Sequence, residues 1–477
     1  MAEKSNTNKS ILGVFSLAMI NVAAIMSLKN LPMMADYGLA LIFFISFAAI
    51  AFFVPTALIS AELATGWPGT IEPGGVYLWV KEGFGARLGF LAVWLQWVED
   101  VVWFPTILSF AAATFAYVIN PALADNKVYM VSVILVTLWG ATLANFRGMR
   151  LSSVISSIGS IAGTIVPGTL IIILGLIWVI EGGQSQIDFS VKKLIPNLTD
   201  IRQLILLSGM FLSFTGMEMS AVHAQEVKNP QRDYPKAIFL STFIILLLCI
   251  AGSLSIAIVV PQKNISLVAG VMEAFELFFS AHNMKWIVPW IAILTAGGGV
   301  AMLSTWIVGP TKGLLATSKD GSIPPFFQRT NRYGMPTNIL LVQAGIVSLF
   351  SLVFLLMPTV SSSFWILTVL TAQVYLIMYI LMFISAIKLK YSQPDTPRSY
   401  KVPGGIMGMW LIGGTGTISS LFAIFMGFWP PKQIDTIQEL VFYELFLFLG
   451  IAVLCLPPFV LYALRKTEWA KDVKKQE

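Results

Sequence analysis

Residues 205–226 read ILLSGMFLSFTGMEMSAVHAQE. The stretch has the length of a membrane span, which takes about 20 mostly apolar residues, yet its middle carries Ser213, Thr215, Gly216, Glu218 and Ser220. An ionisable side chain at the bilayer centre costs about 2.5–3.5 kcal/mol on insertion scales. Glu218 therefore needs a partner, water or a purpose. Nearer the start of the chain, residues 13–34 read GVFSLAMINVAAIMSLKNLPMM. Here Asn21 and small side chains up to Ser27 occupy the middle, and Lys29, Asn30 and Pro32 follow. Breaking either helix frees backbone N–H and C=O groups for other partners. Glycine, small and polar residues also serve ordinary packing between membrane helices, so composition leaves both readings open.

Outward from these two stretches the chain is apolar almost throughout. Of 477 residues, 57% are hydrophobic and 11% charged, against roughly 25% charged in a soluble domain. Apolar runs of spanning length lie near 11–35, 39–64, 88–119, 128–146, 151–180 and 202–224, and again near 236–260, 286–317, 337–357, 361–387, 407–429 and 438–464. Twelve transmembrane helices are expected, in a single all-α integral membrane domain over residues 1–477. The two polar spans are then the first and the sixth. No cleavable signal is expected, because the first run is too long for a signal core. Segment 266–281 is apolar but short and reads as a helix across the bundle mouth, either a gate or a partly exposed loop helix.

The net charge of +6 does not point to nucleic acid, because the basic residues sit in short loops between apolar runs. With twelve spans, 22 Lys and Arg fall on the side of the N-terminus and 7 on the other, Lys29 lying inside the first span. The positive-inside rule then puts both termini in the cytoplasm. Cys249 and Cys455 lie in apolar segments and read as small buried hydrophobes. His223 and His282 have no close Cys or His, so neither a metal site nor any cofactor is expected.

Several short motifs are more specific. The second span ends Ala61-Glu62-Leu63-Ala64, followed by Glu72-Pro73-Gly74-Gly75-Val76-Tyr77 and Phe84-Gly85. After the sixth come His223-Ala224-Gln225-Glu226, Asn229-Pro230 and Arg232-Asp233-Tyr234-Pro235. Ser266 to Met272 (SLVAGVM) and Trp306-Ile307-Val308-Gly309-Pro310 complete the set. On these, in order along nearly the whole chain, the sequence resembles the amino acid–polyamine–organocation superfamily, and within it the bacterial glutamate:GABA antiporter family. The resemblance implies a five-plus-five inverted-repeat (LeuT-like) fold, with repeats over about 11–180 and 202–390 and two additional helices over about 407–464. It also implies exchange of amino acids or their decarboxylation products across a bacterial inner membrane by alternating access. Solute binding in such repeats lies near the midplane, at the interrupted helices.

The positions expected at the solute site are Asn21, Ala23, Ala24, Ile25 and Lys29 in the first span and Phe214, Thr215, Gly216 and Glu218 in the sixth. Met302 and Trp306 are expected from the eighth. By the resemblance, Tyr375 and Tyr379 of the tenth line the cavity, and being four apart they share a helix face. Lys29 stands where the best-known antiporters have a tyrosine, and Met302 where they have an acid. The chain ends about thirteen residues past the last span, so the long C-terminal plug of the acid-resistance members is not expected, and acid-gated exchange is not carried over.

Glu99 and Asp100, in the third span, are the coupling or gating candidates. Neighbours on a helix point about 100° apart, so the two are expected to face different spots. Lys29 pairs with one of them in this reading, either as a switch or as a fixed ion pair. Asp36 and Glu62 lie near span ends, where solvation is expected. Ser304 and Thr305 either hold a sodium ion with carbonyls near Asn21 to Ala24 or bond back to their own helix. The coupling ion, H+ or Na+, stays open. A proton- or sodium-coupled symporter on the same fold and a transporter-like sensor are the competing functions. No nucleophile, nucleotide loop or metal cluster suggests an enzyme.

Overall fold

With no water in the hydrocarbon core, each spanning segment must satisfy its backbone internally, and a helix does so within a single segment. The computed structural model describes residues 13–68, 75–147, 159, 161–197, 204–220, 229–319, 321–430 and 436–470, and contains helices and connecting segments but no strand among them. Among the described residues, ten helices are long and apolar enough to cross a bilayer. They are α3 (Gly38–Gly66), α5 (Ala86–Ile119), α6 (Lys127–Asn145), α7 (Ile161–Ile180), α10 (Pro230–Val259), α12 (Val288–Lys319), α13 (Thr337–Leu356), α14 (Val360–Ser392), α15 (Gly405–Met426) and α16 (Ile437–Ala463).

The expected first and sixth spans are not continuous helices. The first is α1 (Val14–Ile25), an extended pair Met26–Ser27, a tight turn over Leu28–Asn30, and α2 (Leu31–Ala35). The sixth is α8 (Leu207–Leu212), four residues without α-helical pairing, and α9 (Met217–Ser220). Two shorter helices lie outside the spans: α4 (Val76–Phe84) and α11 (Gly270–Ala281). The latter is the helix expected from segment 266–281. Its Val271, Met272, Phe275, Phe278 and Phe279 are buried, so it is packed onto the bundle rather than loose.

Burial separates centre from rim. The most apolar window of α14 is 83% buried and that of α5 78%, against 17% for α16. α5 packs chiefly against α12 and α14, and α1 against α10. The outward faces are apolar too, for example Leu176, Ile180, Leu411, Ile418 and Leu449, as a helix in lipid requires.

One crossing is set by glycine. A Cβ on Gly163 of α7 would lie 2.3 Å from the Gly298 Cα of α12, and one on Gly298 would lie 2.6 Å from the Gly163 carbonyl carbon. Small residues let membrane helices approach backbone to backbone, and here nothing larger fits.

Candidate functional site

The first break follows Ile25. Met26 and Ser27 are extended, with ψ of 120° and 129°, so the last carbonyls of α1 lose their helical partners. The second break ends at Gly216, whose φ is +109°, a region open to glycine but strained for residues with a Cβ. The Gly216 N–H donates to the Tyr379 hydroxyl at 2.9 Å. The hydroxyls of Ser213 and Thr215 bond back to Gly209 O (2.9 Å) and Leu212 O (2.7 Å).

Both breaks border one cavity. Ile25, Ser27, Lys29 and Asn30 line it from the first, and Leu212, Ser213 and Thr215 from the second. Glu99, Asp100 and Trp103 come from α5, Met302 and Trp306 from α12, and Tyr375 from α14. Its water-accessible volume is about 40 Å³, whereas pockets for drug-sized ligands run to about 300–1,000 Å³. A solute of amino-acid size fits only if lining side chains move.

The charges around this cavity are buried. Lys29, Glu99, Asp100 and Glu218 are 1%, 3%, 1% and 2% exposed. Glu218 accepts hydrogen bonds from the hydroxyls of both Tyr375 and Tyr379, and from Gln96 Nε2 at 3.4 Å. One carboxylate thus ties α9 to α14 and α5. The Lys29 amine donates to Thr106 Oγ1 at 2.9 Å, not to an acid as expected, and lies 5.1 Å from the Trp103 ring centroid and 5.3 Å from that of Phe364. Neither carboxylate oxygen of Asp100 has a hydrogen-bond partner among the described residues.

The expectation that Glu99 and Asp100 face different spots needs correction, since both line the cavity. A 100° separation still leaves two side chains on one half of the helix circumference. Sequence reasoning also passed over Gln96, Trp103 and Thr106. With Glu99 they fall at i, i+3, i+7 and i+10, the spacing of one helix face.

Of the other expected residues, Asn21 lies within continuous α1 and donates to Ser241 of α10 at 3.3 Å. Phe214 is buried against Phe53, ring centroids 5.6 Å apart. Ser304 accepts from Asn145 at 3.4 Å. The side chains of Ala23, Ala24 and Thr305 are outside what the structure describes, as are residues 69–74 and 221–228, which carry parts of two sequence motifs. Trp306 packs against Trp103 at 6.0 Å between centroids.

A larger cavity, about 500 Å³, lies at the Gly38 end of α3, among Asp36, Tyr37, Gln186, Asp188, Lys192, Lys193 and Gln262. Asp188 there is held below the usual carboxylate range, first by the Ser190 N–H and then by the Ser190 hydroxyl, both at 2.9 Å. Size alone does not make it the solute site, because loop residues form most of it and the buried ionisable groups gather at the helix breaks instead.

At the opposite end of α3, Glu62 is not solvated as its place near a span end suggested. It is 2% exposed and accepts from Lys390 Nζ and Arg398 Nη1, each at 2.8 Å, and from the Val402 N–H at 2.6 Å. Arg398 also donates to the carbonyls of Leu389 and Gln393 at 3.2 and 2.7 Å and stacks 5.0 Å from the Trp67 ring centroid. These contacts hold the segment after α14 against the end of α3.

Comparison with known proteins agrees with this architecture. The amino acid permease family model matches residues 12–453. An uncharacterized transporter of Legionella pneumophila is 46% identical over 95% of this chain and 97% of its own. The glutamate/gamma-aminobutyrate antiporter of Lactococcus lactis subsp. lactis is 31% identical over 96% of this chain and 91% of its own. A probable agmatine/putrescine antiporter from the same subspecies is 24% identical over 76% of each. With two interrupted segments meeting at a buried, charged cavity and a family match along nearly its full length, the chain belongs to the amino acid permease family of the amino acid–polyamine–organocation superfamily.

Proposed function

We propose that this transporter exchanges amino acids or their amine-bearing derivatives, glutamate- and GABA-like, by alternating access in a bacterial inner membrane. The observation that carries the reading is the cavity between the two breaks, where freed backbone groups and buried ionisable side chains meet. In this reading, residues of about 11–180 and 202–390 form the two repeats, helices of about 407–464 stand outside them, and both termini are cytoplasmic. The 22-to-7 distribution of basic residues supports that orientation. The sites are Ile25, Lys29, Thr215, Met302, Trp306 and Tyr375 at the cavity, with Gly216, Glu218 and Tyr379 holding the second break in shape.

The test is counterflow. Purified protein in liposomes loaded with unlabelled glutamate, GABA or other amino acids should take up the labelled compounds without an ion gradient, and only when matching solute is inside. Uptake that ignores internal solute but follows an imposed proton or sodium gradient would replace exchange with symport.

A further inference from the structure

Asp100 lines the cavity with both carboxylate oxygens buried and unbonded among the described residues. An ionised carboxylate has about four acceptor sites, and leaving them unfilled in a buried setting is unfavourable. Glu218, the acid of the second break, is already served, since it receives two tyrosine hydroxyls and Gln96. Nor does the nearby cation serve Asp100: the hydrogen bond described for the Lys29 amine goes to Thr106, and that amine has two further donors.

Asp100 also sits on a rigid base. It belongs to the continuous helix Ala86–Ile119 rather than to either break, so it does not depend on the irregular segments for its position. Trp103, Trp306 and Tyr375 line the same cavity, and aromatic faces favour cations. An orphaned acid beside aromatic rings, with Lys29 lining the same cavity from the first break, is suited to a molecule that brings its own amine and its own acid.

We infer that Asp100 is the residue that recognises the solute's ammonium group, with Lys29 receiving its carboxylate, so that the cavity selects amino acids over carboxylic acids lacking the amine. The inference rests on the proposed transport reading of this cavity. It assigns one specificity determinant, in the third span rather than at the helix breaks. Entry of the solute requires the small cavity to widen, and the ammonium then fills acceptor sites that no described protein group occupies.

The experiment uses the full-length protein in detergent and quenching of tryptophan fluorescence, for which Trp103 and Trp306 are placed at the site. The probes are the pairs 4-aminobutyrate against butyrate and glutamate against glutarate. The wild type should bind each amine-bearing member at least tenfold more tightly than its counterpart. Asp100→Asn, which keeps the side-chain volume, should bring 4-aminobutyrate down to the level of butyrate. Equal binding of the two members by the wild type overturns the inference without any variant. So does an Asp100→Asn protein, or an Asp100→Ser protein if the first does not fold, that keeps the tenfold preference. Binding of no amino acid at all overturns the transport reading and this inference with it, a pattern distinct from equal binding within pairs.

Discussion

Glu62 and Arg398 are 336 residues apart in sequence and 2.8 Å apart in space, carboxylate oxygen to guanidinium nitrogen, with side chains 2% and 3% exposed. Lys390 reaches the same oxygen, and the Val402 N–H takes the other. A buried ion pair gains little over an apolar pair of the same shape, but removing one member strands a charge. The cluster therefore fixes where the 393–402 segment sits, at a large penalty for any half-broken form.

Glu62→Ala should destabilise the protein by about 3–5 kcal/mol, as loss of one partner of a buried pair does. Arg398→Ala should cost a similar amount. The double variant should cost clearly less than the sum, because the lost Glu62–Arg398 contact is counted once and only Lys390 is then left without its carboxylate. Denaturant-induced unfolding of the four proteins in detergent measures the cycle. Strict additivity would show that the two side chains are not coupled.

Tyr375 and Tyr379 both donate to Glu218, but only Tyr379 also accepts the Gly216 N–H. Replacing either by Phe leaves part of a buried carboxylate unserved, worth about 1–3 kcal/mol. Tyr379→Phe additionally strands a backbone N–H at the break. It should therefore lower both the unfolding midpoint and the initial rate of counterflow more than Tyr375→Phe does. The reverse order would mean that the Gly216 contact is unimportant.

Gly216→Ala tests the break directly. At φ +109° an alanine is strained by about 1–3 kcal/mol, and the chain relieves the strain by moving the carboxylate two residues on. Counterflow should fall at least tenfold while the protein still purifies as a single species. Activity within twofold of wild type would show that the backbone there tolerates another conformation.

The crossing of α7 and α12 supplies a test with its own control. Gly298 meets the Gly163 backbone, whereas a Cβ on the adjacent Gly297 would meet nothing within 4 Å. Gly298→Ala should lower the thermal midpoint sharply, and Gly297→Ala should leave it within about a degree. Equal effects would mean that helix propensity, not close approach, governs this crossing.

The sequence made the helical class legible because bilayer thickness sets a length that apolar runs either meet or miss. The sixth-span break was only half legible, since Gly216 and Glu218 are unusual in a continuous apolar helix but small and polar residues also serve packing between membrane helices. The first break was read too broadly. Asn21 suggested disruption, but Ser241 of α10 accepts its amide proton, and the helix runs on to Ile25. That pairing crosses 220 positions and leaves no local trace. Glu62 was misjudged likewise, because both its cationic partners lie more than 300 positions away. Lys29 looked destined for an acid on charge alone, whereas Thr106, on the same α5 face as Gln96 and Glu99, takes the amine. That face was legible from spacing and was missed by looking only at charges.

Glu273 on α11 gives a pH prediction outside the spans. Its carboxyl is raised to about 7, first by burial and then by the nearby acids Asp125 and Glu276, against a lowering hydrogen bond from the Ser266 N–H at 3.2 Å. A carboxyl with a raised folded value holds its proton longer in the native state than in the unfolded chain. Stability from this group is therefore full below the unfolded value near 4.5 and is lost as pH rises through about 7. Glu273→Gln cannot ionise, so it should melt higher than wild type at pH 8 and with no advantage at pH 4. Thermal unfolding in detergent across that range measures the difference, and a gap that stays constant with pH would show that Glu273 does not titrate between the two states.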